Sequence, residues 1–329
     1  MAYIRRMEAA ASNLYKARKI AGFCHLYTGQ EAVGTGIYAA MRKQDSVITS
    51  YRCHAWVYLM GDTVLSVLAE LAGRAPGNVR GKGGSMHMYT RNFYGGNGIV
   101  GAQAPLGAGA AFAHKYLGDG GVNFALYGDG AANQGQIHEV FNIAFLWKLP
   151  ICFMCENNKY GMGTSMNRSS ASTEYYKRGD YIPGIWVNGM DLLTCREAAR
   201  FIIDYCTSGK GPIVCEMETY RYFGHSMSDP GTSYRTREEV QKVRQTRDPI
   251  NTFKEKILNA KLVTADELKK IDTKAKKDVD AATKEALAAP VIGVEELAAD
   301  IYYHNIHQEI RGLIPNTPLK HLEITPRKK

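Results

Sequence analysis

Short apolar runs alternate with longer amphipathic segments along the chain as far as residue 219. Runs rich in β-branched and aromatic residues predict strands at residues 46–51, 122–127, 151–155, 184–187 and 212–219. Apolar residues at helical spacing predict helices at residues 4–19, 63–74, 102–116 and 194–208. Because helices separate the strands, the strands are expected to pair in parallel. The pattern therefore predicts an α/β fold, a parallel sheet flanked by helices.

Residues 74–101 interrupt this alternation. They are rich in glycine and nearly free of predicted secondary structure. So long a connection inside a compact domain is either functional or disordered. Its aromatic and Met residues favour an ordered loop, and its glycines would let backbone groups approach a flat ligand closely.

The whole chain, residues 1–329, is predicted to form one α/β domain with helical additions. Its length and its 45% hydrophobic content are enough for a substantial core. Residues 236–311 are charged and predict a helical extension at the C-terminal end. Residues 312–329 are rich in Pro and Lys, and we expect them to fray.

Composition and charge exclude several classes of protein. The net charge of +9 is spread over many segments, without the clustered arginine of a nucleic-acid groove, so no nucleic-acid partner is expected. No apolar run approaches the ~20 residues of a membrane span. Seven cysteines without a spaced framework indicate reduced thiols. Cys152 and Cys155 are expected on opposite faces of a strand, which argues against a redox pair.

The stretch from Gly128 to Asn158 carries the strongest chemical signal. Asp129 follows one predicted strand, in a Gly128-Asp129-Gly130 turn, and Asn158 follows the next. Since parallel strands end at the same edge of a sheet, the two side chains should converge where α/β proteins bind ligands. A carboxylate, an amide oxygen and a backbone carbonyl near Tyr160 suit magnesium with a polyphosphate. The alternative is a tight glycine turn and an unrelated Asn-rich strand exit.

Other strand exits carry further candidates. Arg52 follows the strand at 46–51, where its guanidinium could fork onto phosphate oxygens. His225 lies in a Ser/Gly/Pro loop after the strand at 212–219 and can reach the same crevice. His25 stands beside a glycine turn, which more often indicates a structural histidine. No Walker A pattern is present, and the dinucleotide fingerprint fails at its last glycine, which disfavours ATP and NAD sites.

Taken together, these residues resemble the alpha subunits of mitochondrial pyruvate dehydrogenase, a thiamine diphosphate-dependent family. The resemblance runs from about Ile4 to about Arg311. It rests on Gly-Phe-Cys-His-Leu at 22–26, Gly-Lys-Gly-Gly-Ser-Met-His-Met at 81–88, the block at 93–103, the motif from Gly128 to Asn158, and Gly-His-Ser-Met-Ser-Asp-Pro-Gly at 224–231. It implies a thiamine diphosphate-binding fold.

The resemblance also implies roles for individual residues. Asp129, Asn158 and the Tyr160 carbonyl would bind magnesium, with Gly130 and Ala131 beside the diphosphate. The residues expected to hold phosphate oxygens are Tyr51, Arg52 and His225. Backbone groups of Gly98 and Val100 would contact the aminopyrimidine ring of the cofactor. His25 would line the substrate pocket, and His25 and His225 are the candidate catalytic residues.

The activity implied is oxidative decarboxylation of pyruvate with thiamine diphosphate and magnesium, followed by transfer of the acetyl group to a lipoyl group. The implied partners are a beta subunit, in an assembly of two alpha and two beta chains, a lipoyl-bearing acetyltransferase core, and a regulatory kinase and phosphatase. The implied location is the mitochondrial matrix. The first predicted helix continues into residues 23–25, so an import segment is expected to be absent from this sequence.

Two alternatives remain. Branched-chain 2-oxo acid relatives carry Glu at the position of Asp129 and lack the Tyr-Gly-Met-Gly continuation at 160–163. A non-catalytic paralogue would keep the assembly surface without turnover. Thr28, Ala55 and Phe223 depart from the family pattern, and the sequence leaves open whether they reduce activity. Ala55 lies near Arg52, where it could weaken phosphate binding.

Regulation by phosphorylation is implied at three serines, Ser165, Ser226 and Ser233. Ser226 directly follows His225 in the loop that ends at Arg235. Without the resemblance, these serines would be ordinary polar loop residues. A phosphate adds about −1.5 to −2 charges, which would repel the carboxylate and diphosphate groups that the site must admit.

Overall fold

The structure is a computed structural model that describes residues 1–294, 296, 299–300, 310–311 and 318–319. The chain divides into two compact units, Met1–Ala289 and Pro290–Lys329. In the second unit, β9 (Ile310–Arg311) and β10 (Pro318–Leu319) pair antiparallel.

The first unit alternates strands and helices. Its strands are β1 (Ser46–Ser50), β2 (Phe93–Asn97), β3 (Asn123–Gly128), β4 (Ile151–Asn157), β5 (Tyr160–Gly161), β6 (Thr164–Ser165), β7 (Gly184–Asn188) and β8 (Ile213–Glu218). Its helices are α1 (Ala2–Lys16), α2 (Glu31–Ala40), α3 (His54–Leu59), α4 (Val64–Leu71), α5 (Gln103–Leu117), α6 (Gly135–Leu146), α7 (Met166–Ser169), α8 (Leu192–Thr207), α9 (Arg237–Arg247), α10 (Pro249–Asn259) and α11 (Ala265–Ala288). None of these helices is long and apolar enough to cross a membrane.

In the described part of the chain, six strands form one parallel sheet in the order β2-β1-β3-β4-β8-β7. The predicted parallel sheet flanked by helices is confirmed. Gly128 of β3 is in register with Glu156 of β4, and Glu156 is in register with Met217 of β8. The three central strands therefore end level with one another, and the residues that follow them meet at one edge.

Two apolar layers cover the central strands. Cys152 and Met154 face a layer shared with α1 to α4 and α8, and Phe153 and Cys155 face a layer shared with α5 and α6. Successive side chains of a strand point to opposite faces, so the expected separation of Cys152 from Cys155 is confirmed. All seven cysteines are buried and free.

Local side-chain chemistry sets the helix boundaries. α8 begins at Leu192 because the Asp191 carboxylate accepts hydrogen bonds from the backbone N–H groups of Leu193 and Thr194. α11 begins with a capping box between Thr264 and Glu267. α1 stops at Lys16 rather than at residue 19, because Arg18 has a φ of 56°, which a helix cannot continue through.

The glycine-rich stretch contains a strand that the sequence did not predict. β2 pairs in parallel with β1 at the edge of the sheet. Gly95 and Gly96 dilute its apolar pattern, and Gly96 is required by packing, because a Cβ there would lie 2.3 Å from the Met86 carbonyl oxygen. The expectation that regular structure nearly stops between residues 74 and 101 was therefore incomplete.

The C-terminal expectations are only partly covered by the described residues. The predicted extension at 236–311 contains α9, α10 and α11, and its last two residues form β9. Most of residues 295–309 and of the predicted frayed tail at 312–329 lie outside the described part of the chain. The single-domain division therefore stays a prediction.

Candidate active site

A pocket of about 230 Å³ opens where the central strands end. Many of the residues named from the sequence line it: Tyr51, Arg52, Val100, Asp129, Gly130, Ala131, Asn158, Tyr160 and His225. These residues come from five separate stretches of the chain. The level ends of β3 and β4 place the Asp129 and Asn158 exits side by side. The register of the sheet therefore brings the motif together as the sequence predicted.

The Asp129 carboxylate is buried, and one of its two oxygens has no hydrogen-bond partner among the described residues. The residue is 1% exposed, and the unpartnered oxygen is Oδ2. Burial raises the pKa of Asp129 to about 6, although hydrogen bonds and the charge of Arg221 act in the opposite direction. A buried ionised carboxylate is costly unless it is paired or coordinates a metal. The residue fits a cation-binding role.

Asn158 and Tyr160 supply two further oxygens. The Asn158 Nδ2 group donates to Gln30 Oε1 at 3.1 Å, and this fixes the orientation of the amide. Its Oδ1 atom accepts only a long bond, 3.4 Å, from Tyr160 N. The Tyr160 carbonyl accepts a long bond, also 3.4 Å, from Arg221 Nη1. The Asn158 Oδ1 atom and the Tyr160 carbonyl oxygen thus accept only weak hydrogen bonds in the described structure. Both are oxygen ligands of the kind that magnesium prefers.

The described residues contain no cluster of three or more His, Cys, Asp or Glu side chains that could hold a metal ion. The predicted set contains a single such side chain, Asp129, beside an amide and a backbone carbonyl. Magnesium commonly takes one or two carboxylates and completes its shell with phosphate and water oxygens. The donor set at Asp129 therefore fits magnesium that is held together with a diphosphate.

Arg52 lies in the pocket, but part of its guanidinium is already engaged. Its Nη1 donates to the Leu26 carbonyl at 2.5 Å and its Nη2 to the His225 carbonyl at 3.0 Å. The side chain thus ties two other segments to the exit of β1, and only its remaining N–H groups are available to an anion. Its predicted role in holding phosphate stays a prediction.

His25, Tyr51 and His225 form a ring cluster beside the pocket. The ring centroids of His25 lie 4.4 Å from Tyr51 and 5.1 Å from His225. Burial lowers the pKa of His25 to about 2 and that of His225 to about 4, and the charge of Arg52 acts in the same direction. Both imidazoles are therefore neutral at pH 7. Their Nδ1 atoms are buried without hydrogen-bond partners in the described structure, and His225 lines the pocket.

Two predicted residues do not line the pocket. His25 touches it only through Tyr51 and His225, and Gly98 is absent from its lining although Val100, two residues on, is part of it. The three serines differ in access. Ser226 is 3% exposed, Ser165 is half-buried at the end of β6, and Ser233 is exposed.

Several lining residues were missed by sequence reasoning. They are Gln30, Ser50, Gln103, Gly128, Glu156, Gly161, Met162 and Arg221. Arg221 is 1% exposed and donates to the carbonyls of Met162 and Phe223, at 3.1 Å each. It follows β8 more closely than His225 does, so the argument from strand exits would have identified it.

Arg221 and Glu156 have strongly perturbed titration behaviour. Burial and the nearby charge of Arg52 lower the pKa of Arg221 to about 10. Burial raises the pKa of Glu156 to about 7, against the opposing hydrogen bond from the Tyr27 hydroxyl. A pocket that shifts both a base and an acid this far has the character of a functional site.

The Dehydrogenase E1 component family matches residues 1–295 of the chain. The chain belongs to this family. It is 64% identical over 312 residues to the probable pyruvate dehydrogenase E1 component subunit alpha, mitochondrial, of Caenorhabditis elegans, a match that covers 95% of this chain and 79% of the nematode protein. It is 57% identical over 312 residues to the human somatic form, with 95% and 80% covered. The type II alpha subunit of Ascaris suum is 62% identical over 311 residues, with 94% and 80% covered.

These matches confirm the resemblance drawn from the sequence. The match to the E1 family spans the sheet, the pocket and the helices up to α11, so it includes every residue assigned to the site. The nematode, human and Ascaris relatives are all named as pyruvate dehydrogenase subunits, and none of the three as a branched-chain enzyme.

Proposed function

We propose that this chain acts as the alpha subunit of a pyruvate dehydrogenase E1 component. The reaction is oxidative decarboxylation of pyruvate with thiamine diphosphate, followed by transfer of the acetyl group to a lipoyl group. The observation that carries the proposal is the carboxylate of Asp129, which is buried beside Asn158 and whose Oδ2 atom has no partner in the described structure, in a chain of the E1 family. The match to named pyruvate dehydrogenase relatives favours pyruvate over branched-chain 2-oxo acids.

Asp129, Asn158 and the Tyr160 carbonyl would hold magnesium, and Gly130 and Ala131 would lie beside the diphosphate. When bound, thiamine diphosphate supplies the electron sink that decarboxylation of a 2-oxo acid requires. Gly130 fits the crowded turn at this position, because a Cβ there would lie 3.2 Å from the Cα atom of Gly161. The weakly engaged oxygens of Asn158 and Tyr160 support the metal assignment.

The basic residues favour anionic ligands. Arg52 and Arg221 are both buried and line the same pocket, and burial and the repulsion from Arg52 lower the pKa of Arg221. A diphosphate or the carboxylate of a 2-oxo acid would relieve this repulsion. The neutral rings of His25 and His225 would donate or accept hydrogen bonds at the substrate without adding charge.

An exposed apolar surface supports a protein partner. Phe112, Tyr116 and Leu117 of α5 lie with Leu146 and Trp147 at the end of α6, and all five are 48–81% exposed. Phe112 and Trp147 are in ring contact at 5.8 Å. Apolar patches of this kind mark interaction sites. We assign this surface to assembly with a beta subunit, in a particle of two alpha and two beta chains.

The partner is also needed for the chemistry. Activation of this cofactor needs a carboxylate against its pyrimidine ring, and the resemblance implies that the beta subunit supplies it. Glu156 is the one glutamate among the lining residues of the described pocket, and its Oε1 atom is engaged by Tyr27 and Gln30. With a pKa near 7 it is only partly ionised at neutral pH.

Reconstitution tests the proposal. Purified with a beta subunit, the chain should decarboxylate pyruvate when thiamine diphosphate and magnesium are present, and without a partner it should not. Calorimetric titration of thiamine diphosphate with magnesium separates an enzyme from a non-catalytic paralogue, which need not bind the cofactor. Activity of the chain alone that Glu156→Gln abolishes would contradict the need for a partner carboxylate.

The remaining parts of the proposal concern the cell. The relatives are named mitochondrial, and we place the chain in the matrix, where a lipoyl-bearing acetyltransferase core would receive the acetyl group. A dedicated kinase and phosphatase would act on Ser165, Ser226 and Ser233. Because the Ser226 hydroxyl bonds to both backbone groups of Cys24, the kinase must first free it.

A further inference from the structure

Residues 24–28 run beside the pocket without helix or strand structure, and several of their backbone groups are satisfied by remote residues. The Cys24 N–H and carbonyl bond to Ser226 Oγ, at 3.0 and 3.2 Å. The Leu26 carbonyl accepts from Arg52, and the Thr28 carbonyl accepts from Tyr222 N at 3.1 Å. We call this segment the His25 strap. Its conformation is set by side chains that contact it and not by its own secondary structure.

Two buried side chains, Ser85 and Glu8, accept the N–H groups of His25 and Tyr27, and a third, His54, links the two acceptors. Glu8 of α1, His54 of α3 and Ser85 of the glycine-rich loop are each at most 5% exposed. Glu8 Oε2 lies 2.9 Å from His54 Nδ1, and His54 Nε2 lies 2.8 Å from Ser85 Oγ. Ser85 Oγ accepts from His25 N at 3.1 Å, and Glu8 Oε1 accepts from Tyr27 N at 2.9 Å.

The bonds form a closed ring with a defined direction. A carboxylate only accepts, so His54 Nδ1 is the donor to Glu8, and a neutral ring that donates there accepts at Nε2 from the Ser85 hydroxyl. The Ser85 oxygen in turn accepts from the His25 N–H. Both ends of the path from residue 25 to residue 27 thus terminate on the Glu8 carboxylate.

The position of Ser85 is itself fixed. The Glu70 carboxylate of α4 is fully buried and accepts N–H bonds from Gly83 and Gly84, directly before Ser85, at 2.6 and 3.0 Å. It also accepts from Val79 and Gly81 on the same loop, at 2.8 Å each. The ring therefore rests on a rigid loop, and removing one hydroxyl should disturb the His25 strap more than the loop.

We propose that Glu8, His54 and Ser85 are positioning residues that set the orientation of His25 at the substrate side of the pocket. The inference rests on the proposed function, because it takes His25 to contact the 2-oxo acid. None of the three residues lines the pocket, so their effect must pass through the His25 strap. Small misplacements of a substrate-binding group are costly to rate.

The first test is amide hydrogen exchange, which does not depend on activity. In the assembled enzyme, Ser85→Ala should accelerate exchange of the His25 amide about tenfold or more, with smaller change at Tyr27, whose acceptor Glu8 remains. Thr49→Val is the matched control, because the Thr49 hydroxyl is equally buried and has no hydrogen-bond partner in the described structure. Unchanged exchange at His25 in Ser85→Ala would overturn the inference.

The second test is a double-mutant cycle in the assembled enzyme, with rates normalised to bound thiamine diphosphate. Ser85→Ala should raise the KM for pyruvate about tenfold while leaving the cofactor Kd unchanged. In a His25→Ala background it should add less than twofold, because the two residues act as a unit. Full additivity, or a fall in kcat alone that follows the folded fraction, would overturn the positioning role.

Other outcomes remain interpretable. Glu8→Gln keeps the shape of the side chain and provides a second variant should Ser85→Ala fail to fold; it should shift KM in the same direction by a smaller factor. If His25→Ala leaves KM and kcat unchanged, the inference fails although the family activity stands. If the wild-type assembly does not turn over pyruvate, the proposed function fails, and the exchange experiment still decides whether the ring holds residue 25.

Discussion

The part of the site proposed to bind metal, here called the metal half, and the part formed by His25, Tyr51 and His225, here called the histidine half, are built from differently connected parts of the chain. Asp129 and Asn158 follow two neighbouring strands of one βαβ unit, and the ladder between β3 and β4 sets their separation. His25, Tyr51 and His225 come from three distant segments that meet through ring contacts and side-chain bonds to backbone. The sheet sets the geometry of the metal half. In the histidine half, each residue is positioned by its own contacts with other segments.

The difference predicts how each half responds to change. In the metal half, burial makes ionisation of the Asp129 carboxylate unfavourable, and a bound cation would offset this free-energy cost. The histidine half carries no such cost of a buried charge, because its rings are neutral. Its geometry depends instead on single hydroxyls, such as those of Ser85 and Ser226. Substitutions in the metal half should alter cofactor binding, and those in the histidine half should alter turnover.

The largest effect is expected from Asp129→Ala. Without the carboxylate the diphosphate loses its metal counter-ion, so the Kd for thiamine diphosphate with magnesium should rise about 1,000-fold or more, equivalent to ~4 kcal/mol. Isothermal titration calorimetry measures this Kd. Thr49→Val, a buried substitution outside the pocket lining, is the control and should leave the Kd unchanged. Normal cofactor affinity combined with slow chemistry would contradict the metal assignment.

Ser226→Glu should lower turnover about 100-fold while cofactor affinity changes about threefold or less. The charge would enter a buried position beside Asp229, whose own pKa is lowered by hydrogen bonds from His225 N, Tyr234 and Gly231 that outweigh its burial. It would also break the bonds to Cys24. Steady-state assays with the beta partner should show Ser226→Ala active.

Ser226→Gln separates size from charge. If it is as inactive as Ser226→Glu, steric displacement of the loop is sufficient and repulsion contributes little. A fully active Ser226→Glu enzyme at saturating cofactor would remove the physical basis of a phosphorylation switch at this serine.

The unfavourable ionisation of buried Asp129 predicts an unusual dependence of the free energy of unfolding on pH. The folded-state pKa of about 6 lies above the ordinary value of 3.8, so the folded protein binds the extra proton between these values. Stability is therefore highest below pH 4 as far as this group is concerned and falls as pH rises through 6. Asp129→Asn should make the cofactor-free protein about 3 kcal/mol more stable at pH 7.5.

Denaturant unfolding at pH 4 and pH 7.5 checks this expectation. The two proteins should be nearly equal in stability at the lower pH, where wild-type Asp129 is mostly protonated. Equal stability at pH 7.5 would mean that the carboxylate is already compensated in the cofactor-free state.

Arg221→Lys should have the smallest effect of this series, about a tenfold rise in cofactor Kd. The guanidinium contacts the carbonyls of Tyr160, Met162 and Phe223, and a single ammonium cannot reproduce that fork. The Tyr160 carbonyl, a proposed metal ligand, would lose its orientation while kcat at saturating cofactor changes little. A larger loss in kcat than in cofactor affinity would assign Arg221 to the histidine half instead.

Much of the fold was predictable because its signals are local. The strands at β1, β3, β4, β7 and β8 follow from short β-rich runs, and the parallel sheet follows from the helices between them. β2 was missed because two glycines required by close packing, Gly95 against Tyr89 and Gly96 against Met86, remove its apolar pattern. Where packing selects glycine, the hydrophobic period that identifies a strand is lost.

The sequence by itself determined that Asp129 and Asn158 lie together, because they are placed by the ends of two adjacent strands that their own flanking residues specify. Only the tertiary structure decided that Gln30 enters the pocket and that Glu8, His54 and Ser85 converge on the His25 strap. These contacts join residues far apart along the chain, so the periodic pattern of hydrophobic positions does not predict them. Their partners are chosen when the layers pack, by the need to satisfy each buried polar group.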